Sequence, residues 1–227
     1  MLLAALLGGG LAGLILGGMQ QIAVVPMILE AETYETGGDE ESEAAPGDEA
    51  EVEPWAPEDG AERTFWTVLN SMLVGIGFGL LLSACYALRG RVTWQGGVLW
   101  GLAGFAVFNL APSLGLPPEL PGDAAAGLEQ RQVWWVLTAA VTAAGLWIIA
   151  FQPKPYLKLF GVALLVLPHV FGAPHPEVHG GLVPDELRTS FAIATMLTNA
   201  VFWVLLGVFT ALLYRHFGGG AEDPAAA

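Results

Sequence analysis

The run L-L-A-A-L-L-G-G-G-L-A-G-L-I-L-G-G-M-Q-Q-I-A-V-V-P-M-I-L, residues 2 to 29, decides the fold of this chain because it contains no charged residue. A helix needs about 20 apolar residues to cross a hydrocarbon core of about 30 Å. No basic residue precedes the run, and it is longer than the apolar part of a signal peptide. We therefore predict that residues 2–29 form a membrane-spanning helix.

The rest of the chain has the same character, since 54% of its residues are hydrophobic and only 13% are charged, against about a quarter charged in soluble domains. Further apolar segments predict helices at about residues 64–88, 94–111, 132–151, 156–170 and 187–214. The segment 156–170 is shorter than a full span and contains Pro168. We predict an all-α integral membrane bundle of six transmembrane helices, with five as the alternative if that segment is re-entrant.

An acidic segment follows the first predicted helix. It holds most of the chain's 22 acidic residues and is rich in Pro, Gly and Ala, a composition that cannot bury enough apolar surface to order itself. We predict one membrane domain over residues 1–227, with 36–61 a disordered extracytoplasmic loop and 218–227 a flexible C-terminal tail. Such a surface repels nucleic acid and attracts cations, although it can also serve only to keep the protein hydrated.

The basic residues predict the orientation, because short cytoplasmic loops accumulate Lys and Arg. If both termini are cytoplasmic, Arg63, Arg131 and Arg188 lie outside. The other five bases and only two acids then lie on the cytoplasmic side. We expect a multi-pass protein of the cell (inner) membrane with cytoplasmic termini and an acidic outer face.

Similar strings begin the second, fourth and sixth predicted helices. They are E-R-T-F-W at 62–66, E-Q-R-Q-V-W-W at 129–135 and D-E-L-R-T-S-F at 185–191, and the odd-numbered helices are predicted to end at Pro26, Pro112 and Pro168. The pattern indicates either general interface chemistry, with acids at helix starts and aromatic anchors, or three pseudo-repeated hairpins around one axis. In the second interpretation, the three outer hairpin tips would meet.

Candidate metal ligands lie on these tips. The stretch P-H-V-F-G-A-P-H-P-E-V-H-G, residues 168–180, contains three histidines, and neutral imidazole suits Zn, Cu, Fe and Ni ions. Their spacing matches no helical H-E-x-x-H site, so a hydrated interfacial turn is the competing interpretation. The predicted ligands are His169, His175 and Glu32, with Glu30, Glu35, Glu119 and His179 as lesser candidates, and the predicted polar pathway residues are Asn109, Gln20 and Gln21.

The sequence contains no recognisable catalytic set and no nucleotide-binding G-x-x-x-x-G-K-[ST] motif. Its single cysteine, Cys85, excludes a disulfide framework within one chain. We therefore expect a protein that is not an enzyme and that has no permanently bound cofactor. Any driving force for transport would come from the membrane potential, a coupled ion or another subunit.

Four strings resemble the CbtA family of predicted cobalt transporter subunits. They are Q-Q-I-A-V-V-P-M-I-L-E-A-E-T-Y-E, F-N-L-A-P-S-L-G-L-P-P-E-L-P-G, R-Q-V-W-W and L-P-H-V-F-G-A-P-H-P. The resemblance implies an integral membrane permease for cobalt, often accompanied by a small one-helix partner, CbtB, that bears histidines. It also implies five spanning segments, one fewer than our first count.

Taken together, these features predict membrane transport of a divalent transition-metal cation, with Co²⁺ as the first choice of substrate and Ni²⁺ or Zn²⁺ as the others. We expect uptake through an outer-face His/Glu capture site. The expected partners are the lipid bilayer, a CbtB-like subunit and further copies of the chain in a homo-oligomer. The alternative function is a non-transporting membrane scaffold or docking subunit of a larger transport complex.

Overall fold

The structure, a computed structural model, describes residues 1–39, 57–90, 92–176 and 181–217, with the backbone alone for 35–39. Within these ranges all the regular structure is helical, apart from one isolated β-bridge between Asp123 and Gly181. There the chain forms α1 (Leu2–Ala23), α2 (Val25–Asp39), α3 (Ala61–Arg89), α4 (Trp94–Ser113), α5 (Leu128–Phe151), α6 (Pro155–Phe171) and α7 (Asp185–His216).

Five of these helices, α1, α3, α4, α5 and α7, are long and apolar enough to cross a membrane. The remaining apolar helix, α6, has 17 residues, so it is about 25 Å long at 1.5 Å per residue. The predicted all-α membrane bundle is therefore confirmed. The described helices match the five-span alternative, because α6 is shorter than a full span.

The first predicted helix is wrong at its far end. The backbone breaks at Val24, where φ is −120° and ψ is −51°, and α2 then continues to Asp39 with Pro26 in its first turn. A proline is tolerated there because the first amide groups of a helix have no intrahelical acceptor. Pro26 thus begins a helix instead of ending one, and Pro168 lies inside α6.

Glycines bring the backbones of α1 and α3 into contact. A Cβ atom at Gly9 would overlap the carbonyl oxygen of Gly75, and one at Gly13 would overlap that of Ser71. Membrane helices gain much of their association energy from this kind of close packing, because lipid offers no hydrophobic driving force between them. The glycine-rich first segment therefore determines where α3 packs.

The helix α7 packs against both α1 and α4 and lies at the centre of the bundle. Gly97 and Gly101 of α4 face the backbone of α7. The interior is filled by Trp203 and Phe202 of α7 and Tyr86 of α3, whose hydroxyl donates to the Gly207 carbonyl at 3.1 Å. The α5–α6 hairpin packs on the outside, against the far end of α4.

One end of the bundle, which we call the tip face, is formed by α2, by the loop at residues 114–127 and by the described parts, 172–176 and 181–184, of the connection between α6 and α7. An apolar cluster joins them, with Ala31 from α2, Leu120 from the first loop and Val183 from the second, packed with Phe191 of α7. The two loops also meet at the Asp123–Gly181 bridge. The described parts of the three predicted tips therefore meet, but the third predicted hairpin is not formed, because among the described helices α6 packs on α5 whereas α7 packs on α1 and α4.

Two predictions lie largely outside the described residues. The acidic loop at 36–61 is described only at its ends, where α2 reaches Asp39 and where residues 57–60 precede α3. The tail at 218–227 lies wholly outside the described ranges. Disorder of both segments stays a prediction.

Candidate functional site

Three arginines at the starts of α3, α5 and α7 form ion pairs with acids of the tip face. Sequence analysis placed these arginines on the outer side but gave them no partner. Each pair joins the first turns of a spanning helix to α2 or to the loop at 114–127. The pairs are Arg63–Glu32 at 2.8 Å, Arg131–Glu119 at 2.5 Å and Arg188–Asp123 at 2.9 Å.

The Arg63–Glu32 ion pair connects α2 to the start of α3. Nη1 of Arg63 donates to Oε1 of Glu32 at 2.8 Å, and Nη2 donates to Oε2 at 3.3 Å. Nε of the same arginine lies 2.9 Å from Oδ1 of Asp59. A two-point contact of this kind fixes the orientation of both groups, so Glu32 holds a structural position at the helix junction.

The Arg188 pair closes the tip face between the two loops. Arg188 donates to Oδ1 of Asp123 at 2.9 Å, to Oδ1 of Asp185 at 2.6 Å and to the Val183 carbonyl at 2.9 Å. The Asp123 side chain is only 6% exposed, and its Oδ2 accepts from the amide of Leu120 at 3.1 Å. This carboxylate is therefore well satisfied and belongs to the fold.

The Arg131 pair is less well satisfied. A single contact joins Nη2 of Arg131 to Oε2 of Glu119, and Nε of Arg131 is buried with no hydrogen-bond partner among the described residues. Burial raises the pKa of Glu119, and the nearby Asp123 carboxylate raises it further, while Arg131 lowers it. The pKa of Glu119 is raised overall because the effect of burial outweighs the stabilisation of the charged form by Arg131.

A cleft of about 540 Å³ opens beside the Arg131 pair, between the end of α4, the loop at 114–127, the start of α5 and Thr195 of α7. Glu119, Arg131 and Asn109 all line it, among mostly apolar side chains. The structure thus brings together two residues from the predicted set, the ligand Glu119 and the pathway residue Asn109.

Asn109 lies where α4 changes from α-helix to π-helix, at Ala106–Leu110. Single π-helical turns inside α-helices are frequent at functional sites. The Asn109 Oδ1 accepts a hydrogen bond of 2.6 Å from Nε1 of Trp203, and the Phe108 ring stacks on Trp203 with centroids 5.6 Å apart. Phe108 therefore forms an aromatic floor of the cleft, with Trp203 packed behind it and the amide of Asn109 fixed at its edge.

Sequence analysis did not single out Trp203, which is 1% exposed. The sequence signal for its packing is a glycine in the neighbouring helix, since a Cβ atom at Gly104 would overlap the indole ring. Small residues in α4 therefore leave room for one large side chain from α7. The spacing of the glycines alone does not tell which side chain fills that room.

The other two pathway candidates lie at the α1–α3 interface, away from the cleft. The Ser71 hydroxyl donates to Oε1 of Gln20 at 2.9 Å, and the Thr64 hydroxyl donates to Oε1 of Gln21 at 3.3 Å. Nε2 of Gln21 is buried and has no hydrogen-bond partner among the described residues. Both glutamine side chains therefore link α1 to α3, and the buried amide nitrogen of Gln21 has no acceptor among the described residues.

The histidine candidates lie near the end of α6. His169 is half-buried, with its ring edge-on to Trp134 of α5 at a centroid distance of 6.0 Å, and His175 is exposed in the following loop. Glu30 is exposed on α2. His179 and the side chain of Glu35 lie outside the described residues.

No three His, Cys, Asp or Glu side chains in the described part of the chain lie close enough together to hold a metal ion. The predicted ligands are instead distributed over the tip face, two of them in ion pairs with arginine. Whether they bind a metal is not tested by this arrangement, so the ligand assignment stays a prediction.

Residues 1–215 match the model of a protein family described as "Probable cobalt transporter subunit (CbtA)". The chain belongs to the CbtA family. The matched range includes α1 to α6 and almost all of α7, and therefore the tip face of this CbtA chain. Membership supports a role in metal transport in general. No significant match was found among curated proteins or among solved structures.

Proposed function

We propose that this CbtA-family chain moves a divalent transition-metal cation, Co²⁺ first and Ni²⁺ or Zn²⁺ as alternatives, into the cell from the tip face. The observation that carries the proposal is the cleft in which Glu119 and Asn109 lie together at the interrupted end of α4. In this proposal the protein lies in the cell (inner) membrane, both termini are cytoplasmic and the tip face points outward.

The chemistry of the cleft suits a hydrated cation. A water molecule takes about 30 Å³ of liquid volume, so an ion with six waters needs roughly 200 Å³, less than half of the 540 Å³ available. Glu119 supplies a carboxylate, and the second lone pair of the Asn109 carbonyl oxygen remains for water or metal. These oxygens can replace part of the hydration shell of the ion.

We place the other candidates at the entrance. His169 and His175 would offer imidazole nitrogen to the arriving ion, and the α2 carboxylates of Glu30, Glu32 and Glu35, together with His179, would raise its local concentration. Gln20 and Gln21 would serve as an alternative polar route along α1.

The membrane potential can drive this movement. It contributes about 2.3 kcal/mol per charge for each 100 mV, so a dication gains about 4.6 kcal/mol on entering a cell with an interior potential of −100 mV. No nucleotide hydrolysis by this chain is required. Inward transport should therefore depend on an imposed potential.

Uptake of radioactive cobalt by proteoliposomes containing the full chain tests the proposal. With the potential negative inside, we expect uptake above that of empty vesicles, and loss of at least about nine-tenths of it in Glu119→Gln. The double variant His169→Ala with His175→Ala tests the entrance separately, and unchanged uptake would remove these histidines from the proposal. Wild-type uptake equal to that of empty vesicles would exclude transport by this chain alone.

A docking subunit is the second candidate, and the arginine pairs favour it. They already occupy the carboxylates of Glu32, Glu119 and Asp123, and the family description names a subunit. In this case a one-helix CbtB-like partner or a further copy of the chain would complete the transporter. The expected result is copurification with that partner, together with no cobalt binding by the isolated chain in calorimetry.

A further inference from the structure

Arg131 lines the same cleft as Glu119 and holds the position that a bound cation would take. Its Nη2 atom lies 2.5 Å from Oε2 of Glu119, and the two side chains are 29% and 25% exposed. A cation that approaches this carboxylate therefore meets a guanidinium already in contact with it. The arginine must move before the oxygen can become a metal ligand.

Arg131 is also the most weakly held of the three arginines. Arg63 contacts both oxygens of its glutamate and a second acid, and Arg188 has three acceptors. In the described part of the chain, Arg131 has one ion-pair contact, to a single oxygen of Glu119. Moving it away from the carboxylate therefore breaks fewer contacts than moving either of the others.

The electrostatic balance favours exchange for a dication. The Glu119 carboxylate lies in a cleft lined mostly by apolar side chains, and Arg131 is its cationic contact among the described residues. A divalent ion brings twice the charge of a guanidinium, whereas Na⁺ or K⁺ brings only the same charge. Displacement of Arg131 therefore selects for divalent ions.

We propose that Arg131 is a built-in competitor of the transported cation: its guanidinium occupies Glu119 in the empty cleft, and an arriving dication displaces it. This inference rests on the proposed function and assigns to Arg131 the control of affinity and charge selectivity. Return of the guanidinium to Glu119 releases the ion from the carboxylate. Such a device suits transport, because a site on a pathway must bind well enough to fill and weakly enough to empty.

Calorimetric titration of the purified full chain with CoCl₂ tests this competition. Arg131→Gln removes the competitor, so we expect Co²⁺ to bind about fivefold tighter, the factor that corresponds to the upper range of a partly exposed ion pair. Sodium at 150 mM, about physiological ionic strength, should now weaken Co²⁺ binding more than in wild type. The matched control is Lys158→Gln, the same charge change at an exposed position in the first turn of α6, at the opposite end, and it should leave the affinity unchanged.

A second measurement uses the wild-type chain and does not depend on the folding of a variant. Phenylglyoxal labels accessible guanidinium groups, and mass spectrometry reports the labelling of Arg131. If Co²⁺ displaces the arginine, labelling at Arg131 should become faster when CoCl₂ is added, while labelling at Arg63 should not. Unchanged or slower labelling of Arg131 in cobalt-saturated protein would overturn the competition.

The outcomes separate this inference from the proposed function. Cobalt uptake by wild type, together with equal or weaker Co²⁺ binding by a folded Arg131→Gln protein, would leave transport in place and make Arg131 a purely structural partner. Absence of both binding and uptake in wild type would overturn the proposed function and the competition together.

Discussion

Replacing Asp123 by Asn should destabilise the protein far more than the same change at Asp185, although both carboxylates contact Arg188. Oδ1 of Asp123 accepts from Arg188, and its Oδ2 accepts from the Leu120 amide. An asparagine keeps only one of these acceptors, so one donor must face an NH₂ group. At 6% exposure, losing a hydrogen bond to a charged group costs roughly 1.5–3 kcal/mol.

Asp185 provides the matched control. Its side chain is 97% exposed, so water replaces the lost contact and the pair contributes little. Midpoints of thermal unfolding, measured by circular dichroism in detergent, should fall by about 4–10 °C for Asp123→Asn, on a scale of about 2–4 °C per kcal/mol for a chain of this length. For Asp185→Asn we expect a change within about 2 °C. Equal shifts would refute the reasoning that burial decides the strength of these pairs.

Three further predictions concern the cleft and the helix packing. The pKa of Glu119 is raised above its ordinary value of 4.5, so Co²⁺ binding should be lost on acidification at a higher pH than for an exposed glutamate. In metal-free protein, the free energy of unfolding should fall as pH rises through the same window. Glu119→Gln should flatten both pH profiles. Gly13→Ala, which places a methyl group on a backbone carbonyl, should cost about 1–3 kcal/mol in thermal unfolding, whereas Gly18→Ala meets open space and should leave the midpoint unchanged or higher. Trp203→Phe removes the donor to Asn109, so cobalt uptake should fall severalfold. A loss of unfolding free energy much above about 1.5 kcal/mol would show instead that the indole acts mainly in packing.

The spans could be predicted from the sequence because each one needs only an uncharged apolar run. The ends of the helices were harder to predict from the sequence, because they depend on contacts with residues that are distant in the chain. Pro26 marks a boundary two residues after Val24, but the apolar residues around it continue the composition of the first helix, so the sequence does not show that a second helix starts there. The helix α2 exists in its place because its apolar face packs on Leu120 and Val183, which are distant in the chain.

The candidate site was predictable in part. The repeated acid–arginine strings put three arginines at the starts of spanning helices, and the structure pairs each of them with an acid of the tip face. Which acids each arginine binds was not predictable, because Arg188 takes its buried partner, Asp123, from the second predicted tip in addition to the exposed Asp185 of its own helix. The π-helical turn at Asn109 also had no sequence signal, since it depends on the fit of Phe108 against Trp203.

The central position of α7 has a consequence for how the protein is assembled during synthesis. This helix contacts both α1 and α4 and fills the space between them with Trp203 and Phe202. In the described part of the chain it follows the other six helices, so the ribosome makes those six before their common partner exists. A chain that stops before residue 185 would therefore insert its helices but leave two separate groups, α1 with α3 and α4 with α5 and α6. Such a chain should be a target for membrane quality control.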